Sequence, residues 1–415
     1  MQTHKAIAVL GTFDSKGAEH LFLKRRIENR GFAVIAINVG TLTRPSFVPD
    51  RDLFHEMQKE PRWVGAGRDK SLAAVADRAE RLLRELYEKG EICGIVSAGG
   101  GTGTYVASRA MRALPFGVPK VMVSTVASRD MSSTVGTRDI MMIHSVVDIM
   151  GVNSLLARIL DQAAGAVCAM AASAWETTEQ KKRIALTMFG FITEAAERIK
   201  DLLEDMQYEV IPFHANGTGG MAMEELAAQG FFDGILDLAT HELADELKQG
   251  YCSGIGPGRL NPDTGLRIPR LVTPGGLDCA VLEFTRDYIP EVYQDRKIFF
   301  YDFRSAIGLN LNETLLLANQ LGSKLNSHPE NIRVLIPMAG WSEADRNGGP
   351  LGDRKIREAF VRRLSETLDP RIPVETVETH INDPDFSRLA AETMHGMVQS
   401  HAKACSIEAK RRISS

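Results

Sequence analysis

The chain has 415 residues, 44% hydrophobic and 25% charged, a globular composition long enough for two domains rather than one continuous core. Its net charge of -4, with acidic and basic residues interspersed, excludes a field strong enough to gather nucleic acid or an anionic membrane. An anionic ligand must therefore be held by local geometry.

Met1–Lys5 run directly into an apolar segment without the regions of a signal peptide. Cys93, Cys168, Cys252, Cys279 and Cys405 include no Cys-x-x-Cys pair, so reduced thiols and a cytoplasmic location are expected.

Ala6–Leu10 reads as a strand ending at Gly11, followed by the polar turn Thr12–Gly17 and a helix with Leu23 and Ile27 on its apolar side. Gly31 marks the helix end and Phe32–Val39 the next strand. From Leu72 to Leu86 apolar residues keep a helical period, closed by Gly90, and Ile92–Ser97 returns as a buried strand. Ala98–Thr104 predicts a turn into a helix at Tyr105–Leu114, before a strand at Val118–Thr125. Strands alternating with helices require crossovers and hence mostly parallel sheets. Gly151–Trp175 carries Arg158, Asp161 and Gln162 within its apolar stretch, which argues against a membrane span and for a buried helix or a subunit contact.

After the charged stretch Glu176–Arg183, strand, turn, helix and strand recur at Ile184–Gly190, Thr193, Ala195–Met206 and Tyr208–Phe213. The expected fold class is therefore α/β, with two Rossmann-like domains of mostly parallel sheets related by a diverged internal duplication. The domains are placed at 1–180 (nucleotide-binding) and 181–415 (completing a cleft with the first). Further strands are predicted at Gly234–Ala239, Leu271–Thr273, Lys297–Phe303 and Arg333–Pro337, with helices at Thr240–Leu247 and Arg354–Leu368. The turns that follow strands collect at the carboxyl edge, where α/β sheets bind ligands.

Two turns carry the strongest chemical signal. Gly99, Gly100, Gly101, Thr102, Gly103 and Thr104 would let main-chain N–H groups approach an oxyanion closely at a helix start, the alternative being a tightly packed turn. The run is neither a P-loop nor a full Gly-x-Gly-x-x-Gly. In Gly11-Thr-Phe-Asp-Ser-Lys-Gly17, Thr12 and Ser15 are donors for a phosphate, Lys16 its counter-charge, and Asp14 a ligand for Mg²⁺ or a ribose hydroxyl, or else a helix cap.

In the second half, His214 with Asn216, Gly217, Thr218 and Gly219 reads as an acid/base and hydrogen-bonding loop, or as a structural histidine beside a turn. Arg259, Gly275 and Asp278 are candidate cleft residues, with loop salt bridges as the alternative for the two charged ones. His241 and Asp245 stand one helical turn apart, but without a third ligand they read as a helix-start pair rather than a metal site. Ser342 lacks the nucleophile elbow of a hydrolase.

Taken in order, Gly11–Gly17, Ala98–Thr104, Gly117–Thr125, His214–Gly220, Gly256–Leu260, Pro274–Asp278 and Gly340–Gly349 span nearly the whole chain. Together they resemble the family of bacterial and fungal proteins that shares the ATP-binding N-terminal region of the plant protein conferring resistance to tomato mosaic virus. The resemblance implies two Rossmann-like domains, ATP with Mg²⁺ as ligand, and a homodimer or higher homo-oligomer. Ser15 stands where the family often has Thr, and Thr240-His-Glu replaces a more Thr-rich stretch. Three functions are compatible with this pattern: a nucleotide-binding protein, an enzyme acting on a small phosphorylated or carboxylated metabolite with His214 as acid/base, and a nucleotide-regulated interaction module. The partner in each is a small molecule, not nucleic acid or a membrane.

Overall fold

A computed structural model describes residues 5–60, 67–173, 181–260 and 267–413. Residues 1–4, and the parts of Gly151–Trp175 and Glu176–Arg183 that fall within 174–180, lie outside the described residues. The chain divides into two compact units, Met1–Thr177 and Thr178–Ser415.

The first unit runs β1 (Ala6–Gly11), α1 (Gly17–Glu28), β2 (Val34–Asn38), β3 (Arg51–Asp52), α2 (Leu53–Gln58), α3 (Arg68–Glu88), β4 (Ile92–Gly99), α4 (Gly101–Arg112), β5 (Lys120–Ser124), α5 (Ser132–Val135), β6 (Met141–His144) and α6 (Ser154–Ala172). Its strands form one parallel sheet in the order β3-β2-β1-β4-β5-β6. Alternation along β1 explains both faces. Ile7 and Val9 pack with Leu23, Ile27, Leu156 and Leu160 of α1 and α6, while Ala8 and Leu10 pack with Val75, Leu83, Val106 and Ala110 of α3 and α4. Because both faces are covered, the strands read as continuous apolar runs.

Helix α6 is the one helix among the described residues long and apolar enough to cross a membrane by composition. It lies within the unit instead: Leu156, Leu160, Ala163, Ala164 and Val167 bury against the sheet. Asn153 caps it by accepting from the Leu155 and Leu156 amides, and Asp161 pairs with Arg26 of α1 and with Arg30 in the turn that follows.

The second unit runs β7 (Lys182–Met188), α7 (Thr193–Asp205), β8 (Tyr208–His214), α8 (Gly219–Ala228), β9 (Gly234–Ala239), α9 (Glu242–Lys248), β10 (Arg270–Gly275), β11 (Cys279–Leu282), β12 (Ile298–Phe300), β13 (Ser305–Gly308), α10 (Leu311–Asn326), β14 (Ile332–Pro337), α11 (Arg354–Thr367), β15 (Val374–Val377) and α12 (Pro384–Ile413). Its main sheet is parallel with the order β15-β14-β10-β9-β7-β8. Set aside the two-residue β3, and each sheet places its second strand beside its first on one side and its third on the other. In both, the chain reverses direction across the sheet next to the first strand, between β1 and β4 and between β7 and β9, which opens a crevice at the carboxyl edge.

The strand predicted at Lys297–Phe303 is present as the shorter β12, Ile298–Phe300, but outside the parallel sheet. β12 pairs antiparallel with β13 in a separate sheet with β11, because Asp302 accepts from the Arg304 amide and turns the chain. The helix predicted at Tyr105 begins four residues earlier, at Gly101.

Candidate functional site

In the first unit, the turn after β1, the turn after β2 and the start of α4 meet at the crevice between β1 and β4. Thr12, Asp14, Ser15, Lys16, Thr41, Leu42, Leu72 and Gly100–Gly103 line a cleft of about 190 Å³ there. That volume suits phosphate groups rather than a whole nucleotide, whose sites usually exceed about 300 Å³.

His20 holds these turns together. Its ring is fully buried, with Nδ1 2.6 Å from the Lys16 carbonyl and Nε2 3.3 Å from the Ala98 amide. The neutral tautomer with the proton on Nδ1 satisfies both bonds, donating to Lys16 and accepting from Ala98. Burial, the largest influence, lowers the His20 pKa, which keeps the ring in that form. Gly11 is glycine because a Cβ there would overlap the His20 ring. This assigns Gly11 a packing role in place of the predicted ligand contact. A second brace comes from Asn38 at the end of β2, whose Oδ1 accepts from the Phe13 and Gly40 amides at 3.0 and 2.9 Å.

Helix α4 starts differently from the helices whose first turns are capped by side chains. Its first internal bond runs from the Thr104 amide to the Gly100 carbonyl, and its cap residue, Gly100, has no side chain to offer. Gly101, Thr102 and Gly103 therefore present three amides that bond to nothing among the described residues. The fold does not explain these glycines. A Cβ would meet nothing within 4 Å at Gly101, only the Ala98 carbonyl oxygen at 3.9 Å at Gly103, and only Thr125 Oγ1 at 3.6 Å at Gly100. None of the three has a positive φ.

The remaining residues of the two turns divide. Thr102 is exposed beside the cleft, whereas Thr104 is buried, with its hydroxyl 2.7 Å from Ser124 Oγ, and is structural. Gly99 packs tightly against Gly103, and a Cβ at Gly17 would overlap Ser46. Ser15 Oγ donates to Thr12 Oγ1 at 3.1 Å. Lys16 Nζ donates to the Ile149 carbonyl, so one of its three protons is already committed. Asp14 Oδ2 accepts from the Leu42 amide at 2.8 Å and fixes the turn after β2, while its Oδ1 is buried without a partner. Asp14 is not the helix cap; α1 has no side-chain cap. Thr41, Leu42 and Leu72 were not singled out from the sequence, since none sits in a glycine-rich or charged turn.

The glycine-bearing loop after β8 in the second unit is already satisfied internally. His214 is exposed, with Nδ1 3.2 Å from the Met188 carbonyl. The Gly217 amide donates to Glu242 Oε1 at 3.2 Å, and the Gly219 amide to Asn216 Oδ1 at 3.2 Å, with Thr218 Oγ1 bonded to the same oxygen. Gly217 has φ +93, a left-handed conformation that accounts for glycine there. The Gly217 and Gly219 amides of the predicted hydrogen-bonding loop are thus taken up within the protein, as in the alternative reading of a turn.

Arg259 likewise is not available to a substrate. It is fully buried, 2.7 Å from Asp237, 2.7 Å from Glu242 and 3.3 Å from Glu224, and Arg270 joins Glu224 and Asp237, tying α8, α9, β9 and β10 together. Removing one charge from such a network strands the others in low dielectric. Gly275 is closed off by the Leu238 carbonyl.

Asp278 is half-buried. Its Oδ2 accepts from Ser342 Oγ at 2.8 Å and its Oδ1 has no partner. Burial pushes its pKa up to about 6. The nearby Asp345 is pushed up by burial and by the charge of Asp278, against the pull of Arg357, to which it is ion-paired.

These features define a two-unit α/β protein with parallel sheets of matching strand order, in which one carboxyl-edge crevice carries unsatisfied main-chain donors. Residues 5–176 match the N-terminal domain, and residues 181–398 the C-terminal domain, of the family described as Uncharacterised protein family (UPF0261). The chain belongs to that family. A UPF0261 protein of Clostridium tetani is 35% identical over 410 residues, covering 95% of this chain and 100% of the relative. One from Rhizobium meliloti is 34% identical, covering 93% and 97%. The ToMV resistance protein Tm-1(GCR237) of Solanum lycopersicum is 30% identical over 414 residues, 92% of this chain but 54% of that protein. Among solved structures, a UDP-N-acetylglucosamine 2-epimerase from Rickettsia bellii aligns over 97% of each chain at 11% identity and a TM-score of 0.23, a superposition too loose to bear on function.

Two predictions follow from the buried groups. The unfolded chain protonates His20 below its ordinary value of 6.5, whereas the folded ring resists the proton, so this contribution to stability is complete above that pH and is lost as pH falls. Denaturant midpoints measured across pH should show that slope in the wild type and a smaller slope in His20→Ala. The variant should also lose about 2 kcal/mol or more near neutrality through the orphaned Ala98 amide and the cavity left behind. Asp278 behaves oppositely: the folded carboxyl keeps its proton up to about pH 6, so its benefit is present at low pH and fades as pH rises from 3.8. Asp278→Asn should therefore be more stable relative to wild type at pH 7 than at pH 4, by on the order of 2 kcal/mol. An unchanged difference between the two pH values would contradict this.

Proposed function

We propose that the first unit binds the phosphate groups of a nucleotide, ATP with Mg²⁺, at the start of α4. The reading is supported by one observation above all: Gly101, Thr102 and Gly103 offer three unbonded amides through glycines that the fold itself does not require. A glycine inside a helix costs about 1 kcal/mol relative to alanine, and no internal contact here offsets it. Close approach of an anion supplies the reason. Each charge-assisted bond is worth about 1.5–3 kcal/mol, against about 0.3–1 kcal/mol from the helix macrodipole, so donor geometry dominates. Thr12 and Thr102 add hydroxyl donors at the rim, and Ser15 orients the first by donating its own proton to Thr12 Oγ1. Asp14 fits the cation, since its unpartnered Oδ1 is the hard oxygen ligand that Mg²⁺ prefers. The base and ribose would lie beyond the 190 Å³ cleft.

Isothermal titration of the full chain with MgATP tests the reading. Gly101→Ala is the informative variant, because its methyl group enters open space. Stability should stay constant or rise by about 0.5–1 kcal/mol, while affinity falls at least tenfold. Absence of heat with the wild-type chain, or undiminished affinity in Gly101→Ala, would overturn the proposal.

A further inference from the structure

The crevice beside the first strand exists in both units, but its contents differ. In the second unit the turn after β9 carries Thr240 and His241 into α9, the topological position that Gly100 and Gly101 occupy after β4. Phe189, in the turn after β7, stacks on the His241 ring with centroids 3.6 Å apart. His241 is fully buried, and neither ring nitrogen has a hydrogen-bond partner. An imidazole buried without partners forfeits bonds it made in water, and such a group calls for an explanation.

The chain beyond α9 brings two further ligand types to it. After Lys248, Gln249 adopts a left-handed conformation (φ 53) and the backbone doubles back, so the Cys252 amide donates to Asp245 Oδ2 at 2.7 Å. The Val281 amide donates to Asp245 Oδ1 at 2.7 Å. Both bonds fix the carboxylate and leave each oxygen a further lone pair. One ligand atom from each of His241, Asp245 and Cys252 lies within 4.8 Å of the others, and all three residues are buried. In a tetrahedral zinc site, bonds of about 2.0–2.3 Å put ligand atoms roughly 3.3–3.8 Å apart, a contraction within reach of small side-chain rotations.

We propose that His241, Asp245 and Cys252 form a binding site for a divalent transition-metal ion, with zinc as the best match to the nitrogen, oxygen and sulfur set. Borderline-soft Zn²⁺ takes imidazole, carboxylate and thiolate together, whereas Mg²⁺ and Ca²⁺ favour oxygen alone. Binding displaces the Cys252 thiol proton to solvent and leaves the fourth position to water or another small ligand. The i,i+4 pair of His241 and Asp245 lacked a third ligand in the sequence, and the turn through Gln249 provides it. This site is separate from the phosphate site of the first unit, and its test does not depend on nucleotide.

The full chain, stripped with EDTA and dialysed, should bind about one Co²⁺ per chain with a thiolate-to-cobalt charge-transfer band in the near ultraviolet. Zn²⁺ should displace the cobalt and raise the melting temperature. Cys252→Ser, nearly isosteric, should lose the band, while Cys279→Ser, which removes another buried thiol, should keep it. Binding well below one equivalent in the wild-type chain, no charge-transfer band, or a band that survives Cys252→Ser would overturn the proposal. The wild-type titration decides even if a variant fails to fold.

Discussion

The neutral ring of His20 is the constraint on which the first unit's cleft depends. It spans from the carbonyl of Lys16 to the amide of Ala98, and so joins the turn after β1 to the end of β4. Pairing of β1 with β4 sets the two strands side by side, and His20 carries that link beyond their ends to the turns themselves. Its space is provided by the missing side chain of Gly11. The glycines of the first turn and of α4 thus act differently, one admitting a ring from within the protein and the others leaving amides open to a ligand.

The two units show how one strand order serves different chemistry. Both have the reversal beside the first strand, and both send a short turn from the third-placed strand of that reversal into a helix. In the first unit this turn is glycine and its amides are unsatisfied. In the second it holds a histidine under a phenylalanine, beside a ring of carboxylates tied down by Arg259 and Arg270. Buried ion pairs at that density stabilise little compared with apolar packing, but they make the surrounding geometry hard to change. Rigidity of this kind suits a site whose ligands must be held in place.

Residue patterns were a good guide where a local rule operates. The apolar runs at Ala6–Leu10 and Ile92–Ser97 lie in strands covered on both faces, Ile184–Gly190 overlaps β7 but runs two residues past its end at Met188, and the helical period from Leu72 to Leu86 falls within α3. The start of α4 was displaced because a glycine-rich segment has weak helix propensity, yet packing of Val106, Ala107 and Ala110 carries the helix back to Gly101. The antiparallel sheet of β11, β12 and β13 escaped because its strands are short and its turn lacks glycine. His20 was invisible for another reason: a histidine in an amphipathic helix gives no sign that its partners lie 4 and 78 positions away.

The order of apolar runs and turns along the chain was sufficient by itself to determine the α/β class, the parallel sheets and the carboxyl-edge location of the turns, because hydrophobic periodicity and crossover geometry are local properties. Which of those turns keep free donors was decided by tertiary structure. Gly217 and Gly219 look as suited to an anion as Gly101 and Gly103, but Glu242 and Asn216 consume their amides, and the chain beyond α9 brings Cys252 to His241. An amide's availability depends on every acceptor that folding brings near it, and sequence spacing does not record those acceptors.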